Sequence, residues 1–270
     1  LVGTSVAAGP ARVDSISLRA RADGGFDAPH IEATGRVSTL RTGTVHVEKA
    51  EFGATLDVAG GPVLSALSVR APALGNLRHG VEMRVDRIDL RNGALRITGA
   101  KGAAFGSSIE ASMTKVGDSL ELGFTAGTLD LHEIARFVGA PPQPEGATAA
   151  AAVQLKVKGR AIFGHATASV RSASASIVSG IDVDADLDFE GDRVTGWVNA
   201  HAKDGAEVKV DVRRLRWDGS PLDPGAWARA GGSVSATGDL NLRALAELVP
   251  VLPQDLEGEI HFDVGARRAK

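Results

Sequence analysis

The stretch "IDVDADLDFEGD", residues 181–192, contains the pattern on which the prediction of the fold rests. Four acidic residues alternate there with four apolar ones, in the order Asp182, Val183, Asp184, Ala185, Asp186, Leu187, Asp188 and Phe189. A period of two is typical of a β-strand that has one face in water and the other against apolar groups. The stretch therefore predicts an amphipathic strand.

A calcium-binding loop is the alternative interpretation of the same acidic residues. An EF-hand loop needs a glycine at position 6 for its sharp turn and a bidentate glutamate at position 12. Counted from Asp182, these positions hold Leu187 and Arg193, so both requirements fail. The seven histidines are scattered singly along the chain, without a pair at ligand spacing. We predict no metal or other cofactor, and a fortuitous cation on this strand stays the lesser alternative.

The same alternation recurs along most of the 270 residues. Gly, Pro, Asn-Gly and Asp-Gly separate the alternating runs, as turns between strands require. We predict a mainly β fold of about 15–19 strands, mostly antiparallel. The residues that alternation places on the dry side, and that we predict to line an apolar groove, are Val81, Met83, Val85, Leu120, Leu122, Phe124, Val153, Leu155, Val157, Val183, Leu187, Phe189, Val208, Val210, Val212, Ile260 and Phe262.

Composition excludes several functional classes. The net charge of −3 and the lack of a basic run argue against a nucleic-acid partner. The chain has no cysteine, so it has neither disulfides nor thiol chemistry. It has no run of 18 apolar residues, no nucleophile elbow and no phosphate-binding loop. We therefore predict that it is not an enzyme, although a hydrolase with paired carboxylates far apart in sequence stays an alternative.

A unit of helix, turn and strand occurs twice. "DLHEIARFVG" (residues 130–139) and "LNLRALAELVP" (residues 240–250) both place apolar residues at the spacing of an amphipathic helix. Pro142-Gln143 and Glu145-Gly146 follow the first, and Pro253-Gln254 and Glu257-Gly258 follow the second. In a smaller echo, "VDSISLR" (residues 13–19) and "VDRIDLR" (residues 85–91) share five of seven residues. Such recurrence predicts an elongated repeat architecture.

From this recurrence we divide the chain into three segments. Residues 1–126 are an antiparallel β segment, residues 127–237 are one repeat unit, and residues 238–270 begin a further unit. The three are expected to form one continuous, solenoid-like sheet rather than separate globules. The sheet would be elongated and curled into a β-taco, with an apolar groove and two short amphipathic helices.

Residues 127–159 and 238–265, with "VDRIDLRNGALRITG" (residues 85–99), resemble the AsmA-like and TamB family of bacterial envelope proteins. That family repeats a short helix, a Pro-containing turn and strands of alternating apolar residues. The resemblance covers about half of the chain by motif. The signature domain found at the C-terminus of the family's members is not recognisable in this sequence. The resemblance implies that the chain is the middle segment of a bridge-like protein, anchored in the inner membrane by a segment outside this fragment and crossing the periplasm.

The function that the resemblance implies is transport of phospholipid, or another acyl-chain lipid, between the inner and outer membranes. The family also supports outer-membrane biogenesis, so an Omp85-type outer-membrane barrel is an expected partner. The alternative from another class is a structural or adhesive β-rich surface or passenger protein, in which the same apolar residues fill a closed core.

Overall fold

The computed structural model describes residues 2–8, 11–42, 45–74, 79–175, 178–203, 205–217, 230–241 and 259–268. The predicted second helix, at residues 240–250, falls almost entirely outside them, as do Pro253-Gln254 and Glu257-Gly258. The chain forms two compact units, an N-terminal unit (Leu1–Pro142) and a C-terminal unit (Gln143–Lys270). The segment boundaries after residues 126 and 237 were drawn from sequence recurrence and stay predictions.

The described residues of the N-terminal unit form nine antiparallel strands followed by one helix. Each strand forms hydrogen bonds with the next one along the chain. A single 3₁₀ turn at Arg91–Gly93 follows the sixth strand. The elements are β1 (Val2–Ala8), β2 (Ala11–Asp23), β3 (His30–Thr42), β4 (Val45–Asp57), β5 (Val63–Leu74), β6 (Val81–Asp89), β7 (Ala94–Ala104), β8 (Ser107–Val116), β9 (Ser119–Asp130) and α1 (Leu131–Val138).

In the part of the C-terminal unit that the structure describes there are seven strands, again antiparallel and paired in chain order. They are β10 (Thr148–Lys158), β11 (Ala161–Ala175), β12 (Val178–Gly191), β13 (Arg193–His201), β14 (Glu207–Arg216), β15 (Gly231–Asn241) and β16 (Glu259–Arg268). Among the described residues of each unit, the first strand does not pair with the last, so the sheet is open. The prediction of a mainly β, antiparallel fold is confirmed, and the 16 strands fall within the predicted number.

The first predicted helix is present as α1, and its ends follow from local chemistry. The Asp130 carboxylate accepts hydrogen bonds from the backbone N–H groups of His132 and Glu133, at 2.9 and 3.2 Å. Gly139 ends the helix in the left-handed conformation, with φ of 71°. The predicted apolar stripe is only partly covered, because Ala135 is buried whereas Val138 is exposed.

The echo between residues 13–19 and 85–91 corresponds to a local break in the alternation. Val85 and Ile88 are three residues apart, yet both are half-buried while the two residues between them are exposed. On the neighbouring strand β5 they pair with Leu67 and Leu64, and Ala66 between these has a positive φ of 50°. At this irregularity Ala66 and Asp86 lie opposite each other without a ladder pairing, and the register of β5 and β6 is the same on both sides of it.

Candidate functional site

The predicted groove residues of the C-terminal unit lie on one face of its sheet, here called the C-terminal apolar face. Cross-strand pairing joins them into rows that run from strand to strand. The three rows that carry most of them are Leu155–Gly164–Phe189–Val194–Leu215, Val153–Ala166–Leu187–Gly196–Val212 and Val170–Val183–Ala200–Val208–Gly238–Phe262. Val157, Val210 and Ile260 occupy the same face by alternation.

The N-terminal unit carries an equivalent N-terminal apolar face. Its rows include Val69–Met83–Gly102–Ile109–Ala126, Leu67–Val85–Ala100–Ala111–Phe124 and Leu64–Ile88–Ile97–Met113–Leu122. Val81 and Leu120 share this face by alternation with Met83 and Leu122. The structure thus brings the predicted residues of each unit together, and their role in binding lipid stays a prediction.

The apolar side chains on both faces remain partly open to solvent. Of the predicted groove residues whose side chains the structure describes, Val157 is buried, Phe124 is 38% exposed, and the others are half-buried. A side chain in a closed core would be almost fully covered on every side. The only large side chain below 2% exposure among the described residues is Glu133, which is not apolar.

One end of the C-terminal apolar face is closed by Trp217. This residue follows the last residue of β14, and its indole Nε1–H donates to the carbonyl oxygen of Arg160 at 3.2 Å. Arg160 lies in the turn between β10 and β11. In a flat sheet β11 and β14 would be about 14 Å apart, further than a tryptophan side chain reaches. The C-terminal sheet is therefore strongly curled at this end.

The curl closes on the apolar side. Trp217, directly after β14 and two residues after Leu215, is 3% exposed. Val157, Ile162 and Val194, from the ends of three other strands, are similarly buried. These residues form a small closed core at one end, beside the longer part of the face that stays half-open.

Two glycines on the same face allow neighbouring backbones to approach closely. Gly164 lies opposite Leu155 and has φ of 131°, and Gly196 lies opposite Leu187 with φ of 139°. A Cβ at either position would overlap a backbone carbonyl oxygen of the preceding strand. Glycine is required there because the carbonyl oxygen of the preceding strand lies too close for a Cβ atom.

Helix α1 covers one end of the N-terminal apolar face. His79, just before β6, has its Nδ1 3.0 Å from the Glu133 carboxylate, and the rings of Phe105 and Phe137 are 5.5 Å apart in an edge-to-face pair. Eight helical residues span about 12 Å, close to the three strand spacings of about 14 Å between β9 and β6. The face beneath this end carries small buried residues, namely Ala71, Ala104, Ser107 and Ala126.

The acidic residues of β12 lie on the opposite, polar face, as the alternation predicts. Asp184 accepts from Arg171 at 2.6 Å, and Asp182 accepts from the backbone N–H of Ser172 at 2.6 Å. These contacts are ordinary cross-strand ion pairs and hydrogen bonds of a solvated face.

Sequence spacing missed one cluster on that polar face. His165 lies directly opposite Asp188, with 2.9 Å between Nδ1 and the carboxylate, and Asp186 is 3.6 Å from the same nitrogen. The three ligand atoms could hold a metal ion. The cluster joins two strands, so only the pairing of β11 with β12 could have revealed it. Because His165 and Asp188 are exposed, an ion pair accounts for the arrangement.

Two histidines on polar faces gain a proton more readily than usual. The hydrogen bond to Asp57, at 2.6 Å, raises the pKa of His30. Asp239, at 2.7 Å, raises the pKa of His261 in the same way. In the turn after β6, hydrogen bonds from Arg91 hold the pKa of the Asp89 carboxyl well below its usual range. These shifts are those of surface ion pairs.

No protein-family model matches the sequence, and no curated protein and no solved structure matches it significantly. Within the described ranges, no helix combines the length and the apolar character that crossing a membrane requires.

Proposed function

We propose that the two apolar faces bind the acyl chains of lipids. In this proposal the chain is a segment of a bridge-like protein that carries phospholipid across the bacterial envelope. The observation that carries the proposal is the partial exposure of the apolar rows in a folded sheet. A continuous apolar surface left open to water is typical of a site that binds an apolar guest.

The energetics of lipid transfer favour such a surface. Each methylene group of an acyl chain costs about 0.8 kcal/mol when it is exposed to water. A sixteen-carbon chain would therefore cost on the order of 12 kcal/mol if it left a bilayer without shelter. Val, Leu, Ala and Phe side chains along successive strands can remove most of that cost, while the headgroup stays in solvent.

The curl at Trp217 gives the C-terminal face a shape suited to an elongated guest. Trp217 and its contact with Arg160 hold β11 to β14 in a bend whose inner side is apolar. An acyl chain lying inside such a bend would meet apolar atoms on more than one side. The filled-core alternative is favoured by the closed cluster around Trp217, but the half-buried rows beside it are not what a filled core predicts.

Site-specific photocrosslinking tests the binding of lipid. A photoreactive residue would replace Leu122, Leu155 or Val210 on the apolar faces, and matched controls would replace Glu121, Lys156 or Lys209, which are their chain neighbours on the polar faces. The protein would be incubated with vesicles of phosphatidylethanolamine and phosphatidylglycerol. We expect phospholipid adducts at the first three positions only. Equal labelling at both sets, or none at either, would contradict the proposal.

The place in the cell and the partner are proposals that rest on the resemblance to AsmA-like and TamB proteins. We propose that the segment lies in the periplasm, is tethered to the inner membrane by another part of its protein, and works beside an Omp85-type partner. Protease accessibility in cells with a permeabilised outer membrane tests this location. We expect cleavage only after permeabilisation, and a protein protected until the inner membrane is broken would contradict it.

A further inference from the structure

A depression of about 680 Å³ lies on the polar face of the N-terminal unit, across strands β2 to β6. Most of its lining residues belong to two cross-strand rows, Ser17–Arg36–Glu51–Arg70–Glu82 and Arg19–Thr34–Gly53–Ser68–Arg84. Its volume is within the range of small-molecule sites. The lining also includes Phe52, Val69 and Met83, the last two from a row of the N-terminal apolar face, and the inference rests on the two polar rows.

Gly53 forms the centre of the depression. It has no side chain, and its neighbours in the row are the hydroxyl-bearing residues Thr34 and Ser68. A Cβ at Gly53 would lie 3.2 Å from the Ser68 hydroxyl oxygen, so a larger residue would fill the space. The centre therefore offers the Ser68 hydroxyl as a hydrogen-bond donor and leaves space for a group of the ligand, with the Thr34 methyl carbon on the other side.

Arginines outnumber acidic residues around this centre. The lining contains four arginines and two glutamates. Glu51 accepts from Arg36 at 2.9 Å and lies 3.4 Å from Lys49, whereas Glu82 is 3.8 Å from Arg70. Among the described residues, Arg19 has no carboxylate within ion-pair distance. The lining of the depression therefore contains more guanidinium groups than carboxylates, and Arg84 is paired with Asp86 at 3.7 Å.

We propose that the depression over Gly53 binds a phosphate-bearing group, held by Arg19, Arg36 and Arg70. Guanidinium groups donate paired hydrogen bonds whose geometry matches phosphate oxygens, which makes arginine the common residue for this task. Glu51 takes up part of the hydrogen-bonding capacity of Arg36 in the free protein, so it competes with the ligand. The same chemistry is offered by a lipid headgroup and by a free phosphate compound.

Calorimetric titration with inorganic pyrophosphate at low ionic strength tests the proposal. The double variant Arg36→Gln/Arg70→Gln is expected to bind about tenfold more weakly, because it loses charge-assisted hydrogen bonds. Glu51→Gln is expected to bind several-fold more tightly, because it frees Arg36. Its matched control is Glu110→Gln, which frees Lys101 from a 3.1 Å ion pair on the same unit outside the depression.

The two glutamate variants distinguish binding of pyrophosphate at a specific site from its general attraction to a more positive protein. Each raises the net charge by one, so tighter binding in Glu51→Gln alone supports the site. Equal tightening in both, or no binding of pyrophosphate at millimolar concentration by the unsubstituted protein, would overturn the proposal.

Vesicle cosedimentation distinguishes the two sources of phosphate. Phosphatidylcholine vesicles with and without phosphatidic acid would be mixed with the protein and with Arg36→Gln/Arg70→Gln. Sedimentation that needs phosphatidic acid and both arginines supports a headgroup, whereas pyrophosphate binding without sedimentation supports a free phosphate compound. Photocrosslinking at Leu155 should be the same in the arginine variant, so failure of this site and failure of the lipid groove give different results.

Discussion

Trp217 and Trp197 show how one residue type acts on the two faces of the same sheet. Trp217 is 3% exposed and joins β14 to the turn before β11, whereas Trp197 lies on the polar face and is 38% exposed. We expect Trp217→Ala to lower the free energy of unfolding by about 3–5 kcal/mol, since it leaves a cavity in the closed end. Trp197→Ala should cost less than about 1 kcal/mol.

Urea unfolding followed by far-ultraviolet circular dichroism measures both variants. Trp217→Phe serves as a second probe, because it keeps much of the packing and removes the hydrogen bond to Arg160. It should cost about 1 kcal/mol beyond its loss of volume. Similar losses for Trp217→Ala and Trp197→Ala would show that the curl of the C-terminal sheet does not depend on the Trp217 contact.

His30 makes the stability of the N-terminal unit depend on pH. The hydrogen bond to Asp57, assisted by Glu32, raises the pKa of His30 above its ordinary value near 6.5. The stabilisation is therefore fully present below about pH 6.5 and is lost as the pH rises through the raised pKa. We expect the urea midpoint to fall between pH 6 and pH 8, and His30→Gln to weaken that dependence.

An NMR titration of the His30 ring gives the matching direct measurement. Its midpoint should lie above that of a histidine in a denatured chain. His261, whose pKa Asp239 raises in the same way, should also titrate above the ordinary value, and it belongs to the C-terminal unit. A His30 midpoint at or below the ordinary value would contradict the assigned hydrogen bond.

The residues of the apolar faces could be predicted from the sequence, but their long-range contacts could not. Alternation alone placed Leu155 and Val210 on one face, because a strand has a period of two. The contact of Trp217 with Arg160 joins residues 57 positions apart and depends on how far the sheet curls. Alternation contains no information on curl, so Trp217 was not among the predicted groove residues.

At the scale of elements, helix α1 depends on its N-cap. The Asp130 carboxylate satisfies two backbone N–H groups that would otherwise lack a partner at the start of the helix. We expect Asp130→Ala to cost about 1 kcal/mol of stability and Asp130→Asn to restore most of it. Hydrogen exchange of the amides of His132 and Glu133 measures the effect locally. Unchanged exchange in Asp130→Ala would contradict the capping role.

The coiling of the C-terminal strands depends on the glycines that face preceding backbones. Gly164→Ala and Gly196→Ala would each place a Cβ against a carbonyl oxygen, at a φ that alanine rarely adopts. Each should cost more than about 1 kcal/mol in urea unfolding. Gly265→Ala is the matched control in a strand, because a Cβ there meets nothing within 4 Å. If Gly265→Ala lowers the free energy of unfolding as much as Gly164→Ala does, the effect comes from the general strand propensity of the two residue types and not from the contact with a carbonyl oxygen.

Strand positions followed closely from the sequence, whereas the irregular parts of strands did not. The stretch at residues 181–192, predicted as an amphipathic strand, lies almost entirely within β12 (Val178–Gly191). The irregularity between Val85 and Ile88 was visible only as a repeated sequence echo, since it involves the positive φ of Ala66 on the neighbouring strand. The cluster of His165 with Asp186 and Asp188 likewise required the pairing of two strands.

For the chain as a whole, the central question is how the apolar faces are covered. A sandwich covers such a face with a second sheet, and its inward residues then become almost inaccessible. Helix α1 and Trp217 instead cover one end of the face on their own unit. The remaining rows of each unit stay half-exposed, so their residues should tolerate polar substitution better than the residues at the covered ends.

Two residues of β10 test this difference on one strand and one face. Leu155 is half-buried, whereas Val157, two residues further, is 5% exposed in the closed end near Trp217. Leu155→Asp should lower the free energy of unfolding by about 1–3 kcal/mol, because its carboxylate can remain hydrated. Val157→Asp should cost more than about 4 kcal/mol, because it buries an unpaired charge. Leu155→Asp should also stay folded while losing phospholipid adducts from a photoreactive residue at Val210. If Leu155→Asp unfolds the protein as Val157→Asp does, the face is a closed core and the lipid proposal fails with it.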